Sequence, residues 1–211
     1  MANELQPAEQ DLVKSTRNIV FERLSAQGAG HGMEHVERVW GLAKRIQASE
    51  GGQLLSIELG ALLHDVGDAK FHQGQERSGE FAREILGNLQ ARQDVIESVV
   101  HIVDSISFRK DLPASKLTLE AKIVQDADRI DALGAIGIVR AIEFGASRGQ
   151  PFFLPGDESE ATCSHRSTIS HFYKKLFKLR KRLNTPFAKA MTHQREKFMN
   201  SFLAQYFSEY E

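Results

Sequence analysis

The chain has 211 residues, 41% of them apolar, enough for a sizeable core and at most two domains. Its 27 basic and 28 acidic residues leave a formal charge of −1, which excludes a global electrostatic pull toward nucleic acid or an anionic membrane surface. The only cysteine, Cys163, excludes an internal disulfide, no apolar run approaches membrane-spanning length, and "MANELQPAEQ" lacks the plan of an export signal, so a reducing cytoplasm is the expected location.

Prolines 7, 113, 151, 155 and 186 fall at what read as element boundaries and leave long proline-free stretches that suit helices. From Ala8 to Gln27, Leu12, Val13, Ile19, Val20 and Leu24 fit one helix, which "GAGHG" then breaks. Val36, Val39, Trp40, Ala43 and Ile46 mark a second. The third, through Ile57, Leu59, Leu62 and Leu63, reads as buried, carries "LLHDVG" and stops at Gly67, expected as a C′ glycine. Ser78 is expected to cap a fourth, and "RQDVIESVVHIVDSISF" forms a fifth. Thr118 caps a long helix expected to run toward Gly145, with Ala121, Val124, Ala127, Asp128, Asp131, Ala135 and Ile138 on one stripe. The stretch "GASRGQPFFLPGDESEATCSH" reads as a lid or loop, with Cys163 at its surface and Phe152 and Phe153 either stacking on a base or anchoring the loop. Two helices finish the chain, the second with Thr185 as cap and Pro186 in first place. No segment alternates as a strand would, so the expected class is all-α, a single helical-bundle domain over 1–211 with a core at about 20–145 and C-terminal helices 165–208 packed on it.

"LLHDVG" sets the chemical question. An imidazole and a carboxylate inside an apolar helix are costly unless each finds a partner, so His64 and Asp65 imply a hydrogen-bonded pair or an ion. His35 lies beside the stripe of Val36, Val39 and Trp40, and Asp128 lies on a face of small residues, so both are placed to complete a shell. Two imidazoles and two carboxylates make a mixed N/O set that suits a borderline or hard divalent ion.

The order H, then HD, then D, in "HVERV", "ALLHDVGDAKF" and "VQDADRIDALGAIGIVRA", with "ISHFYKKLFKL" and "REKFMNSFL" following, resembles the HD-domain metal-dependent phosphohydrolase superfamily, in particular its small bacterial hydrolases. The resemblance implies that His35, His64, Asp65 and Asp128 hold one divalent ion, drawn from Mn²⁺, Mg²⁺, Zn²⁺, Co²⁺ and Ni²⁺. It also implies a hydrolase in which metal-activated water attacks phosphorus, releasing phosphate or pyrophosphate from a phosphomonoester or phosphoanhydride, with a nucleotide as the expected small-molecule substrate. Asp65 would both ligate and orient the water. Asp68, at i+4 from His64 and therefore expected on its face, is the second catalytic candidate.

Lys70, Arg38, His31, His101, His171 and Lys175 are the candidates for substrate contact, chiefly to phosphate. Lys70 is a loop lysine and the first of these; the others have plainer readings: loop residue for His31, clamp on a buried carboxylate such as Asp131 for Arg38, core residue for His101, and a solvated basic helix for His171 and Lys175. Asp131 is either an acceptor that orients a ligand histidine or a salt-bridge partner. The basic run "KKLFKLRKR" at 174–182 is read as a solvated helix face, with neither nucleic acid nor membrane as a partner; a homodimer is compatible with the sequence. Two rival functions remain: a nucleotide- or RNA-binding regulatory module with a structural metal, and two-metal phosphodiesterase or oxygenase chemistry, which needs a second ion.

Overall fold

A computed structural model describes residues 4–25, 32–68, 72–106, 112–163 and 166–210, and among these every regular element is helical. The chain divides into two compact units, Met1–Ala127 and Asp128–Glu211.

The first unit holds α1 (Pro7–Ser25), α2 (Met33–Glu50), α3 (Leu54–Leu63), α4 (Ser78–Asn88), α5 (Gln93–Ile106) and most of α6 (Leu119–Asp131). Every residue of α3 from Ser56 to Leu63 is buried, as expected of a helix apolar on all sides, and it packs against α1, α2 and α5. Gly60 permits that approach, because a Cβ there would stand 2.9 Å from Ile102 Cγ2 on α5. Leu59, Leu62 and Leu63 share a core with Val20 and Leu24 of α1, Val36 of α2, Ile85 and Leu86 of α4, and Val99 and Val103 of α5. Burial of each such side chain contributes about 1.5–3 kcal/mol of transfer free energy.

Two sequence expectations change here. Ser78 is the first residue of α4 and not its cap; its N–H and hydroxyl both donate to Glu76 Oε1, at 3.1 and 2.5 Å, so a carboxylate two residues upstream does the capping. Gly67 is not a left-handed C′ residue. It is a site of backbone contact, since a Cβ on it would lie 2.3 Å from the carbonyl carbon of Arg77 and the nitrogen of Ser78. Thr118 does cap α6, accepting from Ala121 N–H at 3.2 Å.

The second unit begins with the end of α6 and continues through α7 (Gly134–Ser147). A helical run then passes from α8 (Thr168–His171) through a π turn (Phe172–Leu176), α9 (Phe177–Leu179) and a 3₁₀ turn (Arg180–Arg182), before α10 (Pro186–Tyr210). Leu133, Ile138, Ile169, Phe172, Leu176, Leu179, Met199 and Leu203 form its core. The single long helix expected from Thr118 toward Gly145 is therefore two. Leu133 is extended and Gly134 has φ +77°, a left-handed value that a side chain resists. Arg195 of α10 holds the break open by donating to the carbonyls of Ile130 at 2.7 Å and Leu133 at 3.3 Å.

The irregular stretch before α8 is pinned from inside. Asp157 is fully buried and accepts a hydrogen bond from the Ser167 hydroxyl, and Ser167 also caps α8 in a reciprocal pair with Ser170. Phe152 packs against Phe202 and Tyr206, and Phe153 against Tyr206, Phe207 and Tyr210, so both rings anchor the stretch on α10. Cys163, expected at the surface, is buried, with its thiol 3.5 Å from the Glu160 carbonyl.

Candidate metal centre

The α-helical hydrogen-bonding of α3 ends at Leu63, so His64 and Asp65 project from the helix end instead of lying within it. A helix end leaves carbonyls without intrahelical partners. His64 takes one of them: its Nδ1–H donates to the Ala61 carbonyl at 2.8 Å, which fixes the ring and turns Nε2 inward as a lone-pair donor. The chain then turns sharply, Val66 N–H donating to Leu63 O at 3.3 Å and Asp68 N–H to Asp65 O at 3.2 Å. Arg77 N–H closes on Gly67 O at 2.9 Å, so the turn carrying Asp65 rests on the entry to α4.

His35 comes from the first turn of α2, where its backbone N–H donates to Gly32 O at 3.0 Å. Its Nε2 stands 3.2 Å from His64 Nε2, with the two rings edge to face and centroids 5.2 Å apart. Asp65 Oδ2 lies 3.5 Å from His35 Nε2, and Oδ1 lies 3.6 Å from His64 Nε2. One donor atom from each of the three residues therefore falls within 4.8 Å of the others.

That donor set fits a divalent ion. Two imidazoles on one ion at about 2.0–2.1 Å each stand roughly 2.9–3.4 Å apart at bond angles of 90–110°, which brackets the observed nitrogen separation. The histidine side chains are 2% and 3% exposed, whereas Asp65 is 14% exposed, so the carboxylate is the member that solvent reaches.

The other candidates fall in different places. Asp68 is half-buried just past the turn; because the helix has already ended, the i+4 face it was expected to share with His64 does not exist. Arg38 is half-buried on α2, and His101 is exposed on α5. Asp128 is half-buried on α6 and opens the second unit. Asp131, fully buried, pairs with Arg140 at 2.6 Å, the salt-bridge alternative. His171 closes α8, 6.5 Å in centroid distance from Phe144, and burial, with Lys175 close by, holds its imidazole below the usual range. Lys175 is exposed in the π turn. His31 and Lys70 lie outside the described residues.

One polar residue escaped the sequence reading. Glu58, six positions before His64 on α3, is as deeply buried as the histidines and accepts from Trp40 Nε1–H at 2.7 Å. The signal was present: a charge inside an apolar helix, the same oddity that drew attention to His64 and Asp65.

Comparison with known proteins places this geometry. The HD domain profile matches residues 32–133, which include His35, His64, Asp65 and Asp128. The uncharacterised protein YpgQ of Bacillus subtilis is 35% identical over 204 residues, covering 96% of this chain and 93% of YpgQ. Its crystal structure in complex with ADP superposes with a TM-score of 0.81, at 29% identity over 96% of both chains. An HD-superfamily hydrolase from Bacillus thuringiensis superposes with a TM-score of 0.78, at 32% identity over 96% of this chain and 98% of that one. With two histidines and an aspartate converging where the profile matches, and relatives spanning almost its whole length, the chain belongs to the HD-domain superfamily of hydrolases.

Proposed function

We propose that the chain is a metal-dependent phosphohydrolase acting on nucleotides at the His35–His64–Asp65 cluster. The observation that carries this reading is the His64 ring: its outer nitrogen is committed to the Ala61 carbonyl, so its inner nitrogen is available only as a ligand or acceptor. The complex of YpgQ with ADP supports a nucleotide as the substrate class. A divalent ion held by these residues would polarise a phosphoryl oxygen and lower the pKa of water.

The chain's own groups supply the rest. Asp65, the solvent-reaching member, faces the approaching phosphate and orients water by accepting its hydrogen bond. Asp68, three residues on and tied to Asp65 through the backbone, accepts the proton as the water oxygen attacks phosphorus. The P–O bond to the departing group breaks with its electron pair going to that oxygen, which takes up the proton from Asp68 or from solvent and leaves as phosphate, pyrophosphate, a shortened nucleotide or a nucleoside, according to the phosphorus attacked. Lys70 is the first candidate for a phosphate contact, and Arg38, on the same helix as His35, is a second.

Metal-stripped protein screened with Mn²⁺, Mg²⁺, Co²⁺, Ni²⁺ and Zn²⁺ against nucleoside mono-, di- and triphosphates tests the reading, with phosphate and pyrophosphate detected separately. Metal-dependent release that Asp65→Ala lowers by about 10³-fold or more, with the fold retained, is the expected outcome. Tight metal binding without turnover on any nucleotide, together with unfolding of Asp65→Ala, would replace the enzyme by a regulatory module built on a structural ion. Two ions per chain would move the chemistry to a two-metal reaction.

A further inference from the structure

A cavity of about 800 Å³ opens on the first unit between α1, the C-terminal half of α2 and the start of α3, and it shares no residue with the His35–His64–Asp65 cluster. Along α3, Glu58 lies about 9 Å of helical rise before His64. The volume is that of a small-molecule site.

Glu58 explains what such a site would recognise. It is 4% exposed and lines the cavity, yet among the described residues its carboxylate receives one hydrogen bond, from Trp40. Lys44 Nζ is 4.0 Å away on a side chain 48% exposed, and it rides 5.0 Å from the Trp40 ring centroid. A carboxylate offers about four acceptor positions. One neutral donor and one half-exposed ammonium at 4.0 Å leave part of its desolvation uncompensated, so its remaining acceptor positions favour incoming N–H donors.

The charge of the lining narrows the choice. Lys14 and Lys44 balance Glu4 and Glu58, and Arg17 is balanced by a carboxylate outside the lining, so the cavity carries no net negative charge to draw a cation. Arg17 is already held by Glu37 at 2.6 Å, and Lys14 has no ion pair among the described residues. A ligand that fits is anionic at the lysine end, carries neutral N–H donors at the Glu58 end, and has a flat or apolar body to lie against Trp40, Val13 and Leu54.

We propose that this cavity binds a purine nucleotide of the guanine type, its base edge on Glu58 and its phosphate on Lys14. Guanine presents two adjacent N–H donors to a carboxylate. Adenine presents one donor beside a lone pair, which a carboxylate oxygen repels. The proposal is independent of hydrolysis at the metal centre.

Trp40 is the only tryptophan in the chain, so its fluorescence reports on the cavity directly. Metal-free full-length protein is titrated with GMP, AMP and inorganic phosphate. GMP is expected to change the emission saturably and to bind about tenfold or more tighter than AMP, with Glu58→Gln removing that preference. Lys14→Ala, an exposed position that does not threaten folding, is expected to weaken GMP by about fivefold or more. Equal affinity for AMP and GMP, unchanged GMP binding in either variant, or no saturable response overturns the assignment. So does loss of the GMP response in Asp65→Ala whose circular dichroism matches the parent, which would move the nucleotide to the metal centre; a response that survives Asp65→Ala keeps the two sites distinct.

Discussion

His64 uses its two ring nitrogens for two tasks, and neither is visible in the letters HD. One nitrogen satisfies the Ala61 carbonyl at the helix end, and the other meets His35 Nε2 at 3.2 Å. The residue that keeps this arrangement in place is Gly67. With Arg77 and Ser78 backbone atoms 2.3 Å from where its Cβ would be, Gly67→Ala must displace the turn that carries Asp65. We expect a loss of about 3 kcal/mol from overpacking, together with weakened metal affinity. Chemical denaturation paired with metal titration checks both; a variant as stable as the parent would show that the turn relaxes freely. The sequence marked Gly67 as a stop signal, but backbone contact with the start of the next helix, not a left-handed conformation, is what demands glycine there.

Among the elements, the caps predicted at Thr118 and Thr185 are present, whereas Ser78 opens α4 without capping it. Thr118 bonds Ala121 N–H, and Thr185 bonds Ala188 N–H at 3.4 Å with Pro186 opening α10, because capping depends on residues three positions apart in the chain. The break between α6 and α7 was not readable. The apolar stripe runs through it without a phase change, and what ends α6 is Arg195, more than sixty residues later, taking the carbonyls of Ile130 and Leu133. Gly134→Ala tests this directly. An L side chain at φ +77° is strained, and its Cβ would press on Arg195 Cγ at 3.1 Å, so a loss of about 1–2 kcal/mol is expected in urea unfolding followed by circular dichroism. Unaltered stability would mean that α6 and α7 fuse at no cost.

At the scale of the molecule, metal binding and folding are linked, since the cluster joins the start of α2 to the end of α3 and forms only when both are packed. An ion at about one hundred times its dissociation constant adds about 2.7 kcal/mol, which should raise the unfolding midpoint by roughly 5–11 °C. His35→Ala should abolish that rise. Asp128→Ala should reduce it substantially if the order of the motif is also the order of the ligands, and an undiminished shift would remove Asp128 from the set. By itself the sequence determined the all-α class, the superfamily and the caps at Thr118 and Thr185, and it singled out His35, His64 and Asp65 as candidate ligands, because periodicity, capping and motif order are written along the chain. Only the tertiary structure decided that the two histidines meet at 3.2 Å, that α6 stops at Asp131, and that Glu58 lies buried beside Trp40 at a cavity. Those outcomes depend on which distant backbone and side-chain atoms come within contact distance, and residue order along the chain does not specify that distance.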